Sequence, residues 1–239
     1  MYDLANLALD TAKLRGASYG DVRAMHLRQR DLTTKNGQVG TLAQSESIGI
    51  GVRVLANGAW GFASTDRLTR EGVASCAAQA VSIAKASALA KRSNVVMAPE
   101  KAYVDSWQSP FRKDPFEIPL ETQLALLLAA DAEMRKVKGV TLTETNMQFR
   151  KIDSWFASSI GSRIHQRKVI SGCGIGATSF QGEEIQKRSY PNSFGRIRHL
   201  DSCGEPTRFA DSRIDWASDR TRPRPGTGSE FRGHKFSDA

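Results

Sequence analysis

The chain has 239 residues, of which 40% are hydrophobic and 25% are charged, an ordinary balance for a soluble globular protein with one large or two small domains. Its net charge of +9 comes from 34 basic and 25 acidic residues, and the scatter of the basic residues argues against a dedicated nucleic-acid surface. No window approaches about 18 consecutive apolar residues, and Asp3 stands where a signal peptide has basic residues, so neither a membrane span nor a secretory signal is predicted.

The first part of the chain is predicted to be a short helix followed by a β-meander. Apolar residues between Leu4 and Leu14 recur at helical spacing, with Asp3 as a possible N-cap and Gly16 just beyond. From Gly20 the hydrophobic period changes to two, and Asn-Gly pairs at 36–37 and 57–58 favour hairpin turns. The predicted strands are Val22–Leu27, Asp31–Thr34, Gly37–Ala43, Ser47–Leu55 and Ala59–Ser64.

Two helices and a long connection are predicted next. Asp66 can cap a helix whose apolar stripe is mostly alanine, which favours close packing against a sheet. The connection from Pro99 to Pro119 contains Trp107, Phe111 and Phe116 and is either a packed functional loop or a cover over the sheet. A second helix is predicted from Leu120 to Lys138, with Gly139 at its C-terminal end.

A second meander is predicted after this helix, and it resembles the first. Its predicted strands are Val140–Arg150, Ser154–Ser158, Ser162–Lys168, Val169–Phe180 and Glu183–Tyr190. In both meanders a Gly-x-Gly strand leads into a hairpin turn. The sequence therefore predicts an α+β fold in which two helix-plus-antiparallel-meander units form a large sheet covered by helices.

The alternating glycines do not form a nucleotide-binding loop. Gly49 and Gly51, like Gly172, Gly174 and Gly176, lie within predicted strands, whereas a dinucleotide fingerprint needs a helix after its glycines. Alternate glycines in a strand more often mark the close approach of another backbone or side chain. They are also compatible with a groove that admits an extended peptide by strand addition.

The sequence contains no recognisable catalytic or metal-binding constellation. None of the four histidines is followed by Glu or lies three to five residues from another His, so a zinc-hydrolase helix is not predicted. The three cysteines, Cys76, Cys173 and Cys203, are far apart, which argues against a disulfide framework or zinc ribbon and favours a reduced cytoplasm. We therefore expect no metal or other cofactor bound by this chain.

Three stretches of the sequence resemble a known family. They are Trp-Gly-Phe-Ala at 60–63, Phe-Ala-Ser-Ser at 156–159 followed by Gly-Ser-Arg-Ile at 161–164, and Arg-Ser-Tyr-Pro-Asn-Ser-Phe-Gly at 188–195. Over roughly residues 3–195 the chain resembles the N-terminal domain of the TldD/PmbA proteins, cytoplasmic zinc metallopeptidases once called modulators of DNA gyrase. The resemblance implies a two-domain dimeric peptidase whose N-terminal half shapes a groove for unfolded peptide. It also implies that a separate C-terminal half carries a His-Glu-x-x-x-His zinc helix, which this sequence lacks.

The resemblance divides the chain into a domain at 1–195 and an atypical tail at 196–239. The tail is rich in Arg and Pro and loses apolar periodicity, so it is predicted to be disordered or read from a shifted frame, and the chain to be truncated. The candidate residues for binding a peptide or a TldD/PmbA-type partner subunit are Ser158, Ser159, Arg163, Gly172 and Gly174. Alone, such a chain is expected to be catalytically silent.

The alternative function is a basic, β-rich binding module for nucleic acid or an acidic protein. It rests on the short basic runs formed by Arg28, Arg30, His165, Arg167 and Lys168. Binding through phosphate contacts weakens steeply with salt, so a salt titration separates this alternative from peptide binding. An intact enzyme of unknown chemistry finds no supporting residues.

Overall fold

A computed structural model describes residues 1–191, and the tail predicted at 196–239 lies outside this range. The helices are α1 (Tyr2–Leu14), α2 (Arg70–Ser87) and α3 (Leu120–Arg135). The strands are β1 (Tyr19–Lys35), β2 (Gln38–Ala56), β3 (Ala59–Thr65), β4 (Val104–Gln108), β5 (Leu142–Ser158), β6 (Arg163–Gln181) and β7 (Glu184–Tyr190).

All seven strands form one sheet in the order β3-β2-β1-β5-β6-β4, with β7 also paired to β6. Neighbouring strands are antiparallel except β4, which runs parallel to β6. The units α1-β1-β2-β3 and α3-β5-β6-β7 each supply one helix and one meander, and they join where β1 pairs with β5. The α+β fold predicted from the sequence is therefore confirmed, with three strands in each meander.

The strands are longer than the sequence indicated. Val22–Leu27 and Asp31–Thr34 belong to one strand, β1, and the pairs of strands predicted within β2, β5 and β6 are likewise continuous. The charged residues near Arg28 do not end β1, because the helix layer is interrupted there and their side chains lie against a loop. The structure also adds β4 inside the 99–119 connection and ends α3 at Arg135 rather than Lys138.

Two hydrophobic clusters hold the helices on one face of the sheet. The larger cluster joins α1 and α2 to β2, β3 and the N-terminal part of β1. It includes Val22, Val52, Ala77, Ala80 and Ala84. The smaller cluster joins α3 to the C-terminal half of β1 and the N-terminal half of β5. It consists of Leu32, Leu127, Met147 and Phe149. The predicted alanine stripe does pack closely on the sheet, and Thr69, rather than Asp66, caps α2 by accepting a hydrogen bond from the Gly72 backbone N–H.

Between the two clusters, the helix-bearing face of the sheet is polar. Asp114, in the loop before α3, accepts hydrogen bonds from Lys151 Nζ and from the Phe116 backbone N–H. On the neighbouring part of the same face, Asp153 accepts a 2.7 Å hydrogen bond from Arg167 Nε. Charged groups on this face are thus held largely by partners within the chain.

Asp114 is expected to make the stability of the domain depend on pH. Burial alone would raise the pKa of this carboxyl, but the hydrogen bonds from Lys151 and Phe116 and the charges of Lys151 and Arg28 outweigh it and lower the pKa. The ionised form therefore stabilises the fold above the ordinary carboxyl pKa of about 3.9, and this contribution is lost as the pH falls through the lower folded-state pKa. Urea unfolding of wild type and Asp114→Asn between pH 7 and pH 3 measures it.

The stability difference between the two proteins should be constant near neutral pH and should shrink in the acid range. Lys151→Met, which removes the principal hydrogen-bond donor to this carboxylate, should flatten the acid dependence in the same way. A difference that keeps the same size down to pH 3 would contradict the assignment.

Candidate functional site

The face of the sheet opposite the three described helices carries two adjoining grooves. Successive side chains of a strand point to opposite faces; on β1, Val22 and Ala24 pack under the helices, while Arg23 and Met25 point to the other, helix-free face. The strand register places Arg23 between Gly51 of β2 and Phe156 of β5. Met25 is 43% exposed, which shows that the described chain leaves this face open.

The first groove, which we call the basic groove, crosses β1, β5 and β6 and has a volume of about 420 Å³. Apolar side chains form much of its floor, and cationic side chains from β1 and β6 border it. Its lining residues are Arg23, Met25, Ile152, Ser154, Phe156, Ile164, Gln166 and Lys168.

The second groove, which we call the glycine groove, lies over β1, β2 and β3 and has a volume of about 850 Å³. It shares Arg23 and Met25 with the basic groove. Gly51 keeps it open, because a Cβ at this position would lie 3.0 Å from the Phe62 ring. The predicted close approach at an alternating glycine is thus found here, between Gly51 and an aromatic side chain.

The cations on this face differ in how they are paired. Arg53 donates hydrogen bonds of 2.9 and 2.7 Å to Asp21 and lies 4.8 Å from the Trp60 ring centroid; the hydrogen bond to Asp21 raises the pKa of the Arg53 guanidinium. Arg23 lies 5.8 Å from the Phe156 ring centroid. Within residues 1–191, no carboxylate forms an ion pair with Arg23 or Lys168.

The predicted residues Ser158, Ser159 and Arg163 lie together at the turn between β5 and β6. The Ser158 Oγ accepts a hydrogen bond from the Ser162 backbone N–H, and the Ser159 Oγ accepts one from the Gly20 N–H. Arg163 extends towards α1, 6.0 Å from the Tyr2 ring centroid. In the described chain these contacts fix the turn against the sheet.

The predicted residues Gly172 and Gly174 lie elsewhere, on the helix-free face in the middle of β6. About ten residues of extended strand separate them from Arg163, a distance of roughly 30 Å. A Cβ at Gly172 would meet no atom within 4 Å, whereas one at Gly174 would lie 3.1 Å from Asn146 Nδ2. The structure therefore does not bring the five residues into one site, and their role in binding stays a prediction.

The basic residues of the alternative function are divided between the two faces. Arg28 and Arg30 both lie over the Phe116 ring, and Arg30 is only 9% exposed. His165 and Arg167 share Asp153, and Lys168 alone lines the basic groove. The five residues do not form one continuous cationic surface.

Arg23, Met25 and Phe156 were not identified as site residues from the sequence. A signal was present: Met25 and Leu27 are apolar residues on the face of β1 opposite Val22 and Ala24. An antiparallel strand with one solvated face carries polar residues on that face, so apolar residues on both faces indicate a second contact surface.

Within residues 1–191, no group of three or more His, Cys, Asp or Glu side chains is placed to hold a metal ion. The described residues therefore do not fit the zinc site that the resemblance implies for the family, and no catalytic step can be assigned to them. None of the described helices is long and apolar enough to cross a bilayer.

Comparison with known proteins agrees with the sequence motifs. Residues 20–84 match the family model described as PmbA/TldA metallopeptidase domain 1. A metalloprotease of Methanocaldococcus jannaschii is 23% identical over 163 residues, covering 67% of this chain and 36% of the relative. A metalloprotease of Methanothermobacter thermautotrophicus is 27% identical over 168 residues, covering 70% and 36%. The chain spans only about a third of the length of these curated relatives.

Solved structures show the same fold. A Thermotoga maritima protein provisionally named a modulator of a DNA gyrase aligns with a TM-score of 0.68 at 14% identity, covering 93% of this chain and 50% of the other. TldE from Thermococcus kodakarensis aligns with a TM-score of 0.61 at 14% identity, covering 87% and 46%. The resemblance of the sequence to the N-terminal domain of the TldD/PmbA family is therefore confirmed.

Proposed function

We propose that this chain is the peptide-groove and dimerisation part of a TldD/PmbA-type metallopeptidase, acting in proteolysis or peptide maturation in the cytoplasm. The observation that carries the proposal is the pair of adjoining grooves on the helix-free face, lined by apolar side chains and by glycines. An extended, unfolded segment can lie in such a groove with its side chains against Met25 and Phe156, whereas a folded domain is too wide to enter.

Hydrolysis requires ligands that the described part of the chain does not hold together. A catalytic zinc site needs three protein ligands and a base close to the metal-bound water, and the described residues offer no such group. We therefore propose that the zinc-binding residues belong to a separate catalytic half or to a TldD/PmbA-type partner subunit, and that this chain alone binds unfolded peptide without cleaving it.

Peptide binding can be tested with the full chain and a fluorescent, carboxymethylated casein fragment in the presence of zinc. We expect saturable binding, no cleavage, and weaker binding by Ile152→Ser, which changes the floor of the basic groove. Ile185→Ser is the matched control, because Ile185 is 62% exposed on β7, does not line either groove, and is expected to leave binding unchanged. Stoichiometric zinc together with chelator-sensitive cleavage by the chain alone would disprove the proposal, as would equal binding by the two variants.

A further inference from the structure

The basic groove contains cations that the described chain does not neutralise. Several other cations of the sheet do have carboxylate partners: Arg53 with Asp21, Lys151 with Asp114, and Arg167 with Asp153. In the basic groove Arg23 is held over the Phe156 ring and Lys168 has no carboxylate partner within residues 1–191. Among the residues that the structure describes, no acidic side chain lines this groove, so its charge complements an anion.

The surroundings of Arg23 favour a carboxylate that arrives beside an apolar side chain. Met25, Ile152 and Ile164 line the same groove, and low-polarity walls strengthen a charge-assisted hydrogen bond. The guanidinium is planar and can bind both oxygens of a carboxylate. The contact with the Phe156 ring restricts its orientation before any ligand is bound.

We infer that the basic groove recognises acidic residues of an extended peptide, with Arg23 and Lys168 each binding one carboxylate. The inference rests on the proposed function and adds the class of peptide. In the strand register, Arg23 of β1 is opposite Phe156 of β5, which is opposite Ile164 of β6. Lys168 lies four residues beyond Ile164 on β6, which is two strands away from β1. With strands about 4.8 Å apart and a rise of about 3.3 Å per residue, the two Cα atoms are about 16 Å apart.

This separation sets the spacing of the acidic residues in the ligand. In an extended peptide, residues i and i+4 point the same way and lie about 13 Å apart, which the flexible Arg and Lys side chains can bridge. Residues i and i+1 point in opposite directions and cannot engage both cations from one side. Peptides with Glu at i and i+4 should therefore bind most tightly.

The inference can be tested by fluorescence anisotropy with labelled nine-residue peptides that differ only in carrying Glu at i and i+4, Glu at i and i+1, or Gln at i and i+4. We expect the first to bind the full chain roughly tenfold more tightly than the Gln peptide, as charge-assisted hydrogen bonds allow. Arg23→Gln and Lys168→Gln should each remove much of this preference. Arg15→Gln, the same change of charge at an exposed position outside both grooves, should leave it intact.

The outcomes separate the inference from the proposed function. Equal binding of the Glu and Gln peptides would overturn the acidic preference while leaving peptide binding in place. Failure of all three peptides to bind would overturn both. A further outcome is that an oligo-dT single strand competes with the Glu peptide and that its binding is lost in Arg23→Gln. That result would show that the groove binds phosphate groups, and it would also overturn the inference.

Discussion

Replacing Gly61 with alanine is expected to destabilise the domain by roughly 3 kcal/mol, the upper end of the range of about 1–3 kcal/mol that is typical of overpacked cores. A Cβ on Gly61 would lie 2.1 Å from the Ala80 carbonyl oxygen, 2.4 Å from the Ala84 backbone nitrogen and 2.8 Å from the Ala84 Cβ. These are atoms of α2, two of them in its backbone, so no side-chain rotation can relieve the clash. The helix must move away from β3, and the larger hydrophobic cluster must open with it.

Thermal unfolding measures this effect, with Gly172→Ala as the matched control. A Cβ on Gly172 would meet no atom within 4 Å, so this strand glycine should tolerate alanine with a change of at most about 0.5 kcal/mol. For a domain of this size, the Gly61 variant should lose about 10 °C in melting temperature. Similar melting temperatures for the two variants would show that α2 does not pack against β3 as described.

The packing around Gly61 shows why the fold could be predicted from the sequence. The alanine stripe on α2 and the Asn-Gly turns are local patterns with one dominant structural meaning, and both were interpreted correctly: Asn36 and Asn57 have positive φ angles of 49° and 51°. The lengths of the strands could not be predicted in the same way. The polar residues near Arg28 and Gln44 resemble strand ends in the sequence, and only the tertiary gap between α2 and α3 explains why the strands continue through them.

The candidate site was harder to predict from the sequence than the fold, because it depends on the register between strands that are distant in the chain. Arg23 meets Gly51 and Phe156 only through pairing with β2 and β5, and residue 156 is 133 positions away in the chain. The motif residues Ser158 and Ser159 attracted attention for their resemblance to a family, yet their hydroxyls accept hydrogen bonds from backbone amides in and beside the turn. Motif residues of this kind reflect the geometry of a turn as readily as they reflect binding.

Arg30→Met is expected to cost about 2–3 kcal/mol, because it removes hydrogen bonds made by a charged group within the domain. The Arg30 guanidinium donates to Gln123 Oε1 at 2.8 Å and to Gln44 Oε1 at 3.1 Å, and it contacts the carbonyl oxygens of Pro115 and Ile118 at 3.5 Å. Burial lowers the pKa of Arg30, but these oxygens compensate the charge. Methionine fills similar space and leaves Gln123 without this donor.

The matched control for Arg30→Met is Arg28→Met, which acts on the same aromatic ring. The Arg28 guanidinium lies 4.9 Å from the Phe116 ring centroid and that of Arg30 5.3 Å, so each variant loses one cation–π contact. Of the two, only Arg30 also forms hydrogen bonds to the 109–119 loop and to α3, so Arg28→Met should cost about 1 kcal/mol or less. Urea denaturation compares the two, and limited proteolysis should show faster cleavage within 109–119 only for Arg30→Met. Equal losses would mean that the stacking on Phe116, rather than the hydrogen bonds to the loop and Gln123, holds α3 to the sheet.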